Sequence, residues 1–162
     1  MKVQFLVLLL INISIALAQD TYNWQNYSDM KNVNDISTGT NGAWAASTGG
    51  AFHYNAVTGK YITLHKNDGL IGSSLNAVTT DRYGKIWFGG DEGAIDVYDP
   101  ASDRMKTILD IYNDQEQSNK SINNLESVGD TIYVCTDFGL SLIDSKSYIF
   151  YDTFFKYGNF QP

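Results

Sequence analysis

One eight-residue pattern occurs three times in this 162-residue chain and constrains its fold more than any other feature. The first copy runs from Trp44 through Gly49-Gly50 to Ala51. The second runs from Trp87 through Asp91-Glu92-Gly93 to Ala94, and the third from Tyr133 through Asp137-Phe138-Gly139 to Leu140. An aromatic residue leads each copy and a glycine stands six positions later, at Gly50, Gly93 and Gly139; the copies are offset by 43 and 46 residues. Each continues into a short strand that closes on Asn or Asp: Ala51 to Asn55, Ala94 to Asp99, Leu140 to Asp144. The second of these is one residue longer, as a bulge would give.

Other strand signals flank each copy. Before the aromatic lie Val33 and Ile36, then Leu75 and Val78, then Ile122 and Leu125, joined to it across turns at Asn41-Gly42, Tyr83-Gly84 and Gly129-Asp130. After each copy comes a fourth strand, over Tyr61 to Leu64, Met105 to Ile111 and Tyr148 to Phe155. Four strands per 40–45 residues is the period of a β-propeller blade. Past Ala18 no stretch keeps helical periodicity. The two prolines, Pro100 and Pro162, fall outside the strands. A β-sandwich of hairpins would not require the six-residue spacing three times. The expected fold is therefore all-β: three four-stranded propeller blades, at about 33–66, 75–112 and 122–156. The aromatics Trp44, Trp87 and Tyr133 are expected to wedge between blades. Gly50, Gly93 and Gly139 are expected to supply the tight turns that need positive φ. A ring takes 4–8 blades, so three form an incomplete propeller that belongs to a larger one.

Residues 1–18 read as an address. Lys2 precedes an apolar run from Val3 to Ala18, broken only by Gln4, Asn12 and Ser14 and ending in the small-x-small pattern Ala16-Leu17-Ala18. The run is shorter than the roughly 20 residues of a membrane span, so cleavage before Gln19 is expected. Residues 19–32 then carry Trp24-Gln25-Asn26-Tyr27, which reads like a closing strand donated to a last blade. At the far end, Lys156 to Phe160 enters a connection toward a further blade. Removing Lys2 from the 11 basic residues leaves 10 against 18 acidic ones, a balance that disfavours nucleic acid, whose phosphates are held by Lys and Arg. Cys135 is the single cysteine, so no internal disulfide forms; its strand context predicts a buried, inert thiol.

Blade two also resembles a known family. Asn67-Asp68-Gly69-Leu70, Leu75-Asn76-Ala77-Val78 and Asp81-Arg82-Tyr83-Gly84-Lys85-Ile86-Trp87-Phe88-Gly89 are similar to the two-component regulator propeller repeat, with Gly90 where that repeat has Thr. Blades one and three keep the skeleton without the Asp-x-x-Gly-x-x-Trp core. Trp24-x-x-Tyr27, Gly89 to Asp96 and Ser121-Ile122-Asn123 through Gly139 resemble the N-terminal propeller of the PorZ family of the type IX secretion surface machinery. The resemblance spans about residues 22–160. It implies export to the periplasm, the outer membrane surface or the exterior, and an assembly or ligand-binding role. It brings no catalytic residue.

Chemistry has few candidates. His53 and His65 are 12 residues apart with no metal-ligand pattern beside them. No nucleophile elbow or phosphate loop occurs. The densest acidic group, Asp91, Glu92, Asp96, Asp99 and Asp103, fits no Ca²⁺ loop spacing and reads as solvated turn charge. Asn113 to Lys120 is expected to be an exposed polar loop. No catalytic, cofactor or metal residue is expected, and the function expected first is binding. Rim loops bearing Asp68, Asn76, Asp91, Glu92 and Asp137 would then meet protein or glycan partners. The alternatives are the sensor domain of a two-component hybrid kinase and, third, a glycan-active propeller enzyme.

Overall fold

The computed structural model describes residues 29–39 and 41–155. The leader, Trp24, Tyr27 and Phe160 lie outside these. Among the described residues, twelve strands form three separate four-stranded antiparallel sheets, each running in chain order. Blade one holds β1 (Val33–Gly39), β2 (Gly42–Ser47), β3 (Gly50–Asn55) and β4 (Lys60–Leu64). Blade two holds β5 (Leu75–Thr80), β6 (Ile86–Gly90), β7 (Ile95–Asp99) and β8 (Arg104–Ile108). Blade three holds β9 (Ile122–Val128), β10 (Thr131–Thr136), β11 (Gly139–Asp144) and β12 (Phe150–Phe155). The first strands of the three blades are neighbours, with β5 packed against both β1 and β9. The three sheets are a partial propeller, and no sheet closes on itself among the described residues.

Blade two is buried on both faces because its strands alternate between two cores. Val78, Ile86, Phe88 and Tyr98 pack with Trp44, Ala46, Ala51 and Leu64 of blade one. Ala77, Trp87, Ile95 and Val97 pack with Ile122, Leu125, Ile132, Val134 and Ile143 of blade three. All five residues of β6 are buried, so this strand reads as a continuous apolar run and not as an alternation.

Two local devices recur in every blade. In each first strand the pairing register slips at one asparagine: at Asn34 between Val33 and Asp35, at Asn76 between Leu75 and Ala77, and at Asn123 opposite Cys135/Thr136. A bulge leaves that residue unpaired and re-aims its side chain. Outer hairpins are the second device. Asn55 Oδ1 accepts from the amides of Val57 and Thr58 at 3.0 and 2.9 Å. Asp99 Oδ1 accepts from Ala101 N at 2.9 Å, and Asp144 Oδ1 from Ser147 N at 2.7 Å. These Asx turns explain why each third strand ends in Asn or Asp. The fourth residue after each of these Asn or Asp residues is left-handed: Gly59 (φ 67°), Asp103 (φ 53°) and Tyr148 (φ 65°).

Several expectations need correction. The extra residue of the second copy sits in the turn before β7, not within the strand. Gly89 pairs with Ile95, leaving a loop in which Gly93 (φ 83°) is left-handed. Gly50 (φ 126°) and Gly139 (φ 159°) are instead the first residues of β3 and β11, and Gly139 is close to ordinary extended backbone. β8 stops at Ile108, and Asp110–Asn113 form one helical turn; Ile111 points into the core there. Strand β12 begins at Phe150, because Tyr148 is spent on the turn. Cys135 is half-buried rather than buried.

Candidate functional site

The Asp-x-x-Gly-x-x-Trp core of blade two is a hydrogen-bonded unit. Asp81 Oδ1 accepts from the amides of Tyr83 and Lys85 at 2.8 and 3.0 Å, and Oδ2 accepts from the Trp87 indole Nε1 at 2.9 Å. Gly84 takes φ 80° in the turn so closed. Asp81 is thereby buried and satisfied, and Trp87 is held with no exposed surface. Gly89 follows for a steric reason: a Cβ there would lie 2.4 Å from Ile122 Cγ2 in the next blade.

The rim formed by the β2–β3, β6–β7 and β10–β11 turns carries most of the polar residues picked out from sequence. The bulged asparagines organise it. Asn76 Nδ2 donates to Asp91 Oδ1 at 2.6 Å and to Ser121 Oγ of the approach to blade three at 3.0 Å. Asn123 Nδ2 donates to Asp137 Oδ1 at 2.8 Å, and Asn34 Nδ2 to the Leu75 carbonyl at 2.8 Å. Beside them a cleft of about 210 Å³ is lined by Lys66, Ser73, Ser74, Asp91, Glu92 and Asp96, among others. Asp68 lies at the edge of this rim in a 3-10 turn, where its Oδ2 accepts from the His65 amide at 2.8 Å.

The opposite rim holds a larger feature that sequence reasoning missed. A groove of about 600 Å³ opens between blades one and two, lined by Trp44, His53, Tyr61, Ile62, Ile86 and Tyr98 with Asn41, Asn55, Thr58 and Lys60. The His53 ring lies 4.9 Å from the Trp44 ring, and Tyr98 meets Trp44 edge-on at 5.5 Å. Burial lowers the His53 pKa. Burial and the bond from its hydroxyl to Asp103 at 2.8 Å push Tyr98 up to about 12. The only sequence signal for this groove was the position of His53 on the strand after Gly50.

The five acidic residues do not form one patch. Asp91 and Glu92 precede β7 on one rim, whereas Asp99 ends it and Asp103 follows it on the other. Asp96 lies inside, 2% exposed, and so is not solvated turn charge. Its oxygens accept from Thr107 Oγ1 at 2.6 Å and Ile71 N at 3.0 Å. Burial nevertheless raises its pKa against those two bonds. Among the described residues, no group of three or more His, Cys, Asp or Glu is placed to hold a metal. His53 and His65 lie apart: His53 is in the groove, and His65 Nδ1 is 3.3 Å from the Gly49 carbonyl oxygen. Trp44 faces blade two, Trp87 faces blade three, and Tyr133 lies half-buried on the outer face of blade three. No helix among the described residues is long and apolar enough to cross a membrane.

Family comparison adds to this geometry. The N-terminal β-propeller domain of PorZ, of the type IX secretion system, matches residues 43–161. The chain belongs to the PorZ N-terminal propeller family. Among solved structures it is similar to PorZ of Porphyromonas gingivalis, an essential bacterial surface component of that system. The TM-score is 0.74 at 18% identity, over 81% of this chain and 18% of that one. It is also similar to the extracellular domain of a putative one-component system from B. thetaiotaomicron. There the TM-score is 0.66 at 16% identity, over 84% of this chain and 19% of that one. This chain thus spans less than a fifth of either structure, and at these identities the likeness is one of fold. No curated protein matches the chain.

Proposed function

We propose that this chain is part of an exported β-propeller that binds or scaffolds partners, protein or glycan, within type IX secretion surface machinery. Membership of the PorZ propeller family over residues 43–161 carries the reading. In this account the leader is cleaved before Gln19, Trp24 to Tyr27 add a closing strand, and further blades complete the ring. The repeat positions Trp44, Gly50, Trp87, Gly93, Tyr133 and Gly139 serve the architecture. The polar rim around Asn76, Asp91 and Asp137 is one partner-facing surface, and no catalytic step is assigned to it.

A second reading, the sensor domain of a two-component system, is favoured by the likeness to extracellular sensor domains from B. thetaiotaomicron. Two measurements separate and test these. Protease treatment of intact cells, with N-terminal sequencing of the released product, should give surface-exposed protein beginning at Gln19; cytoplasmic protein retaining Met1 would refute export. The gene beyond Pro162 should encode further blades and a C-terminal sorting domain under the first reading. A membrane helix followed by a kinase would establish the second.

A further inference from the structure

The groove between blades one and two has an internal counterpart that shows what chemistry fits it. Between blades two and three the equivalent space is filled from the β11–β12 loop. Tyr148 lies against Trp87 with ring centroids 5.6 Å apart, and its hydroxyl accepts a hydrogen bond from Lys85. Lys106 Nζ stands 4.0 Å from the centre of the same ring. The registers place Trp44 where blade two has Trp87, and Ile62 where it has Lys106. The loop position that offers Tyr148 in blade three offers Asp103 in blade two, with the same left-handed backbone. Asp103 turns instead to Tyr98 of its own blade. No loop residue therefore plugs the space beside Trp44, whose ring packs on His53, Phe88 and Tyr98, and the 600 Å³ groove remains.

We infer that this groove is a docking site for an aromatic side chain presented by a protein partner, entering between the blades beside Trp44 and Ile62 as Tyr148 enters beside Trp87 and Lys106. Ile62 stands where Lys106 does and Gly42, also in the groove lining, where Lys85 does, so the groove suits the apolar face of a ring more than its hydroxyl. Asn55, the amide nearest in kind to a sugar ligand's partners, already spends its carbonyl on the Val57 and Thr58 amides. A protein segment is accordingly favoured over a glycan. Aromatic anchors in pockets of this kind are what commonly carry affinity in protein interfaces. The inference deepens the binding-module reading above by naming a partner chemistry, and its test does not depend on where the protein resides.

The probe is N-acetyl-p-benzoylphenylalaninamide, photo-cross-linked to the whole chain and mapped by mass spectrometry. Labelling should concentrate on the peptides of Trp44, Ile62 and Tyr98, and excess N-acetylphenylalaninamide should displace most of it while N-acetylleucinamide does not. Ile62→Trp should fill the groove and abolish this labelling. Tyr148→Ala should open the counterpart and add labelling near Trp87 and Lys106. Should either variant misfold, the displacement result on the unaltered chain decides alone. Label spread over the outer faces of blades one and three, or displaced equally by the leucine compound, would overturn the inference. So would a groove that accepts label only on dilution, its occupant then being a second copy of this chain.

Discussion

Single residues hold the blades together through satisfied burial, and three substitutions test this. Trp87→Ala removes the largest fully buried side chain among the described residues and should cost about 3–5 kcal/mol in chemical denaturation of a closed, longer version of the protein; a loss below about 1 kcal/mol there would show that it is no wedge. Asp81→Ala keeps the volume of Trp87 but strands its indole N–H and two turn amides. The stranded, buried indole donor costs about 1–3 kcal/mol and the two part-buried turn amides add less, so the variant should melt below the unaltered protein. Tyr98 titrates with a pKa raised to about 12. A raised phenol keeps its proton longer in the folded than in the unfolded state, so its contribution is complete below pH 10 and is lost as pH rises toward 12. Melting curves of the chain and of Tyr98→Phe should converge over that interval, and parallel curves would contradict the assignment.

Strands and turns are where sequence and structure can be compared. The repeat was legible because glycine spacing and the Asn or Asp at the end of each third strand are local necessities: one sets a turn, the other caps it. The bulges were less legible. Asn34, Asn76 and Asn123 each sit second in an ordinary strand pattern, and nothing local says that the pairing skips them. Their reason is the partner across the rim, as with Asn76 and Asp91 at 2.6 Å. Asn76→Asp should therefore set two carboxylates against each other, lowering the urea midpoint at pH 7 and restoring it near pH 4, where carboxylates take up protons. The groove was invisible for a related reason. It exists because blade three offers Tyr148 at a loop position where blade two offers Asp103, and only pairing of the blades in space reveals the difference. Strand ends failed where a neighbouring blade claims the residue, as Ile111 shows beyond β8.

At the scale of the whole molecule, the central claim is that three blades are a segment of a larger propeller. Blade two is covered on both faces, but among the described residues nothing covers the outer faces of its neighbours. Ile36, Tyr54 and Tyr61 of blade one are 59%, 38% and 67% exposed. Tyr133, Cys135, Leu140 and Leu142 form a half-buried apolar face on blade three. Apolar sheet faces of this kind favour association until another sheet covers them. Light scattering on residues 19–162, alongside a version extended through the following blades of its gene, tests this most directly. The account predicts that the three-blade chain associates or aggregates while the extended one is a compact monomer; a stable, monodisperse three-blade monomer would contradict it.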